Sequence, residues 1–271
     1  MRLDDIHLIL AEARKVSHHH EFVIAGSLSV LGLPIDVPDL MSHSIDVDYY
    51  PLRDPERASE IARTLGEGSK FHQNHGFYLD PIHPDLPILP RTWRSRIVRH
   101  DFGDVTAIFL DVNDTAISKY VRGAENDFRW IEAGYDAGIL DIDIVTARAE
   151  RETDFFDGER QPTLSRIRMH RLAMGSDEKL ITPLVSYLRD HLEMIVVELD
   201  IHAGKYFGAF AWVDDTRAVQ NIGDGRLAVH EVLTWKQKPA VGQVATVSYS
   251  DHGTTVEVQF SSIEEQTSGP D

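Results

Sequence analysis

The first half of the chain alternates short apolar runs with longer amphipathic stretches. Leu3, Ile6, Leu8, Leu10 and Ala13 recur at helical spacing, which predicts an opening amphipathic helix. "EFVIAG" at 21–26 is apolar after its first residue and too short for a helix, so it reads as a buried strand stopped by Gly26. "SLSVLGL" then predicts a helical turn with Ser27 near its start, where a hydroxyl caps free backbone N–H groups. "SIDVDYYP" at 44–51 predicts a second strand, and "DPERASEIARTLG" a helix with Asp54 and Pro55 at its start and Gly66 at its end. "GFYLDPI" reads as a short strand and "RIVRHDFGDVTAIFLDV" as a hairpin turning around Asp101 to Asp104. Helical spacing resumes at about Asn113 and runs through "DTAISKYVRGAENDFRWIEAGYDAGI", which holds no proline. Residues 150–175 are mixed and charged, and "ITPLVSYLRDHLEMIVVEL" predicts a further helix.

Near residue 200 the pattern changes to short apolar stretches broken by Gly, Asp and Pro, among them "GKYFGAFAWVDD", "LAVHEVLTW" and "VGQVATVSYSDHG". That rhythm predicts a small antiparallel β-barrel or sandwich. The expected organisation is therefore α+β: a mixed sheet with flanking helices over 1–175, a helical connector over 176–200, a small β-barrel over 201–262, and a disordered tail over 263–271. "SSIEEQTSGPD" has too little apolar content to pack.

Composition narrows the functions. With 271 residues, 42% of them hydrophobic, the chain is long enough for one large or two modest cores. The formal net charge of −17 disfavours uniform attraction to a phosphate backbone. The exception is "RTWRSRIVRH", where Arg91, Arg94, Arg96 and Arg99 crowd around Trp93; a strand and turn balancing an acidic surface explains this run better than a nucleic-acid patch. There is no cysteine, so disulfides and thiolate metal sites are excluded. The amino terminus lacks the apolar core of a signal peptide and no run is long enough for a membrane span, so a cytoplasmic protein without a membrane partner is expected. The consecutive His18, His19 and His20 cannot all face one ion from a regular element, and His72, His75 and His83 lack a completing ligand, so both groups read as structural.

Chemistry concentrates in the Asp-x-Asp of the second strand. Alternation puts Asp46 and Asp48 on one face, where two carboxylates repel unless water or a cation separates them. Upstream lies the Gly26-Ser27 turn opening a helix, a geometry that suits phosphate. Paired carboxylates suit Mg²⁺ bridging to substrate phosphates. A Gly-Ser turn followed by Asp-x-Asp resembles the nucleotidyltransferase superfamily that includes DNA polymerase beta. "FVIAGSLSVLG", "SIDVDYYP", "HGFYLDPI" and "DTAISKYVRGAENDFRWIEAG" narrow the resemblance, over about residues 5–145, to bacterial nucleotidyltransferase-like proteins of unknown function related to abortive-infection and toxin–antitoxin enzymes.

That resemblance implies a third metal carboxylate beside Asp46 and Asp48, with Asp80 the first choice and Asp111 the second, and assigns Lys119 and Asp127 to catalysis together with Asp46 and Asp48. Gly26, Ser27, Lys119 and Arg122 would hold the triphosphate. The chain departs from its relatives in "AEND", where Ala124 and Asn126 replace basic residues. The activity implied is Mg²⁺-dependent transfer of a nucleotide from a nucleoside triphosphate to an RNA, protein or small-molecule acceptor. From about residue 203 the chain resembles the KfrB domain of plasmid proteins; small barrels often serve as docking modules, so a protein partner recruited through the C-terminal barrel is expected. The rival expectation is a degenerate nucleotidyltransferase fold that binds without turnover in plasmid maintenance. Within the KfrB-like stretch, Gln220 and His230 are polar positions inside apolar runs, which buried hydrogen bonds explain.

Overall fold

Four residues, Glu21–Ile24, form the strand β1 on which the first sheet is centred. Phe22, Val23 and Ile24 are all buried, as expected for a strand covered on both faces. The computed structural model describes residues 1–174, 184, 187–188, 191, 194–250 and 255–261. They fall into two compact units, Met1–Ile167 and Arg168–Asp271.

In the first unit β1 pairs antiparallel with β2 (Asp46–Pro51) and parallel with β5 (Thr106–Phe109). Outside these lie β3 (Tyr78–Pro81), parallel to β2, and β4 (Val98–Asp101), antiparallel to β5. The sheet order is thus β3-β2-β1-β5-β4. The β4–β5 hairpin turns through a Phe102 N–H donating to Val105 O at 3.0 Å, where the sequence places the turn.

Helix α1 (Leu3–Ser17) buries Ile6, Ile9, Leu10 and Ala13, and it packs against α3 (Ala58–Leu65); the short α4 (Lys70–His75) packs on α3, and the short α2 (Asp39–Ser42) on the helix over Glu125–Asp136. Helix α5 (Val112–Arg122) packs on α6 (Glu125–Asp136) and α7 (Ile142–Arg151). The long helical stretch expected after Asn113 is interrupted at Gly123, which takes φ +65° and ends α5. Helix α8 (Arg160–Met174) occupies a region whose mixed, charged sequence gave no helical signal.

The second unit is a six-stranded sheet in the order β11-β10-β7-β8-β9-β6, built from β6 (Ile195–Val197), β7 (Lys205–Val213), β8 (Arg217–Asn221), β9 (Arg226–Glu231), β10 (Val244–Ser250) and β11 (Thr255–Phe260). Its pairs are antiparallel except β6–β9, which is parallel, so the sheet is mixed. Among the described residues no pair joins β6 to β11, and no closed barrel is seen. Strand β6 also lies inside the stretch expected to be a helical connector, whose remainder falls mostly outside the described residues, as does the expected tail.

Alternation along the strands gives this sheet two apolar faces. Ala218 packs with Phe210, Trp235, Ala245 and Val247, whereas Val219 packs with Leu227 and Val196 on the other side. On the first face, the fully buried His230 contributes Nδ1 to a 2.8 Å hydrogen bond with Tyr249 Oη and Nε2 to a 3.0 Å bond with Gln220 Oε1. The Gln220 amide nitrogen donates to Gly208 O and Ala245 O, which leaves Oε1 as an acceptor and places the His230 proton on Nε2. Gln220 and His230 therefore do serve buried hydrogen bonds that tie β7, β8, β9 and β10 together.

Burial holds the His230 pKa down at about 4, against 6.5 for an ordinary histidine. A depressed folded-state value contributes stability above pH 6.5 that is lost as pH falls through about 4, worth about 3 kcal/mol in total. Hydrogen exchange of the β8–β10 amides should show that loss between pH 7 and pH 4, and His230→Asn should flatten the acid-side slope. An unchanged slope in the variant would contradict the assignment.

Candidate functional site

Strand β2 buries Val47 and Tyr49 and turns Asp46 and Asp48 to the opposite face. The parallel pairing with β3 places Asp80 directly beside Asp48. Oxygens of Asp46, Asp48 and Asp80 all lie within 4.8 Å of one another. The Ser44 hydroxyl donates to Asp46, and no ion pair to these three carboxylates is present among the described residues. Burial, then the charges of Asp46 and Asp80, push the Asp48 carboxyl up to about 6. Asp80 is raised as well, by burial and by Asp46 and Glu67. The cluster is an electrostatic cost in the protein alone.

The Gly26 turn is built against this cluster. Ala25 N–H donates to Asp48 O at 2.9 Å, closing the turn onto β2. Gly26 takes φ +60°, and a Cβ added there would fall 1.8 Å from Asp48 Oδ2. Both the backbone conformation and the space require glycine. The helix that follows, Gly26–Gly32, is a 3-10 helix, and the Ser27 hydroxyl makes no capping bond. It accepts instead from Lys119 Nζ at 3.0 Å, which replaces the expected capping role.

Lys119 is buried on α5, 3.1 Å from Asp127 Oδ1 on α6, with its ammonium 4.9 Å from the centre of the Trp130 ring. Burial pulls the Lys119 pKa down, and Asp127 opposes that pull. Arg122 forks onto both oxygens of the fully buried Asp127, and the Ala124 N–H donates to it at 3.3 Å. Burial alone would raise Asp127; the hydrogen bonds from Arg122 and the Lys119 and Arg122 charges hold it below the usual carboxylate range. Trp130 Nε1 donates to Ser27 O and Met41 O, both at 3.1 Å, so α6 also fixes the backbone of the Gly-Ser turn. Neither Trp130 nor Ser44 carried a sequence signal for this role.

Asp111, the alternative third carboxylate, lies elsewhere. It caps α5, accepting from Asn113 N–H at 3.0 Å and Asp114 N–H at 3.2 Å, and pairs with Arg148. The arginine-rich run is also spent on partners: Arg91 on Asp154, Arg96 on Asp114 and Glu152, Arg99 on Glu21. Arg94 lies over the Trp93 ring, 4.6 Å from its centre. These side chains balance nearby acids, and the stacking face of Trp93 is already occupied. Of the consecutive histidines, His18 closes α1 in the left-handed conformation, and among the described residues neither these nor His72, His75 and His83 joins a metal-like cluster.

Gly26, Asp48, Lys119 and Arg122 line one cleft of about 430 Å³, a volume ordinary for a small-molecule site. Lys119 and Arg122 pull against the rise at Asp48 without pairing with it, and three clustered carboxylates with oxygen-only donors suit a hard divalent cation such as Mg²⁺.

The raised Asp48 value has a sign that can be checked. Its contribution to stability is present below about pH 4 and is lost as pH rises through about 6, a penalty of about 3 kcal/mol at neutral pH. Metal-free Asp48→Asn should therefore melt several degrees above the parent at pH 7.5, with the gap closing toward pH 4. Mg²⁺ should raise the melting temperature of the parent only. Identical pH profiles for the two proteins would contradict this account.

Comparison with curated proteins and with solved structures gives no match. Among the described residues no helix is long and apolar enough to cross a membrane. The KfrB domain family matches residues 205–259, over β7 to β11. Residues 4–171 match the family described as nucleotidyltransferase of unknown function (DUF6036), and the chain belongs to that family.

Proposed function

We propose that the chain is a Mg²⁺-dependent nucleotidyltransferase of toxin, defence or mobile-element type, acting from a nucleoside triphosphate onto an RNA, protein or small-molecule hydroxyl. The observation that carries this reading is the convergence of Asp46, Asp48 and Asp80 beside a glycine turn that leaves no room for a side chain. Asp46, Asp48 and Asp80 would hold the cation, which supplies charge neutralisation of the triphosphate and a lowered pKa for the attacking hydroxyl. In the transfer, the acceptor oxygen bonds to the α-phosphorus as the bond to the bridging oxygen breaks and pyrophosphate leaves. The hydroxyl proton passes to the carboxylate cluster.

The remaining residues act as supports. Asp127 fixes Lys119 and Arg122, and those cations face the cleft where the departing phosphates carry charge. Lys119 and Trp130 together hold the Gly26-Ser27 turn against β2. The KfrB-like unit, a six-stranded mixed sheet, recruits a protein partner.

One observation favours a second reading. Asp127 already engages both Lys119 and Arg122, and Ala124 and Asn126 add no basic group, so fewer cations are left for phosphate. In that reading the fold binds nucleotide without turnover and the KfrB-like unit carries a role in plasmid maintenance.

The readings separate on incubation with α-labelled nucleoside triphosphates, Mg²⁺ and total RNA or protein. The parent should transfer label, and the double substitution Asp46→Ala with Asp48→Ala should lower transfer at least a hundredfold, on the order expected for loss of metal-borne charge stabilisation. Equal labelling by the two would sink the nucleotidyltransferase assignment, and none by the parent would leave the binding reading.

A further inference from the structure

The cleft that contains Asp48 and Lys119 also has an apolar wall that neither cation nor phosphate chemistry uses. Ile82, Leu86, Ile88 and Leu89, from the segment after β3, line it together with Phe156, from the turn before α8. Leu86 and Phe156 are 67% and 66% exposed, large apolar side chains left open beside a cavity. Phe156 is held there by its own turn: its N–H donates to Glu159 Oε2 at 3.2 Å, and Glu159 N–H returns a bond to Phe156 O at 3.1 Å. These bonds fix the backbone of the turn, so the exposed ring it carries stays beside the cleft and presents an apolar face to a ligand. The hydroxyls in the lining, Thr115 and Ser118, are on α5 with Lys119, at the phosphate-binding side.

We propose that Phe156 and Leu86 form the nucleobase subsite of this cleft, with the base stacked on Phe156 and Glu159 fixing the backbone turn that carries that ring. The proposal rests on the nucleoside-triphosphate reading above and adds its selectivity. Apart from Glu159, the apolar wall offers no polar side chain to read base edges. Recognition is therefore by stacking area: purine nucleotides bind more tightly than pyrimidine nucleotides, and adenine and guanine are nearly equal.

The test is calorimetric titration of the full chain in Mg²⁺ with ATP, GTP, CTP, UTP and inorganic tripolyphosphate, which has no base. Phe156→Ala should weaken ATP and GTP about tenfold, as expected for loss of one base–aromatic stack, and leave tripolyphosphate unchanged. Phe156→Trp should retain ATP affinity. Unchanged ATP affinity in Phe156→Ala, or an equal loss for tripolyphosphate, would overturn the subsite while leaving the phosphate site intact. Failure of the parent to bind any of these ligands would overturn the nucleotide reading itself, and this subsite with it.

Discussion

The parallel register between β2 and β3 is the constraint on which the site depends, because it sets Asp80 beside Asp48 rather than one position away. A shift of one residue would send the carboxylates to opposite faces of the sheet. The register has an electrostatic cost, visible in the raised Asp48 and Asp80 values. Packing of the buried Val47, Tyr49 and Leu79 holds the strands in place against that repulsion. A fold that keeps three carboxylates together with no ion pair to any of them among the described residues has a use for a cation.

Around this cluster the supports form two layers. The first is Gly26, whose missing side chain lets the β1 turn close onto Asp48. The second is the buried Asp127, which draws the buried Lys119 from α5, its own helix start and the fork of the exposed Arg122 into one charge network. Trp130 links the two layers, with its indole N–H on Ser27 O and its ring beside the Lys119 ammonium. Loss of Asp127 would leave the buried Lys119 ammonium without its carboxylate, so these groups act as a unit.

Much of this was legible in the chain. Period-two alternation alone set Asp46 and Asp48 on one face, and Gly26 stood out as a strand stop. The choice between Asp80 and Asp111 was not legible, because both end short apolar runs and only the strand pairing separates them. The arginine run read correctly as balancing acidic groups, but which ones was not legible for a related reason: its partners Glu21, Asp114, Glu152 and Asp154 are distant in sequence. Ser27 looked like a helix cap because local pattern favours that use, and a buried lysine from another helix took its hydroxyl instead. In the second unit the short strands were readable, whereas the parallel addition of β6 to β9 depends on a long connection that periodicity does not encode.

The central claim is that Asp46, Asp48 and Asp80 exist to hold a divalent cation. Crystals of the full chain grown with Mn²⁺ and a non-hydrolysable nucleoside triphosphate would test it directly by anomalous diffraction at the manganese edge. The account predicts an anomalous peak among the three carboxylates, at about 2.1 Å from their oxygens, as octahedral oxygen coordination of a small divalent ion requires. An anomalous map with no peak there, or with manganese bound only elsewhere, would contradict it.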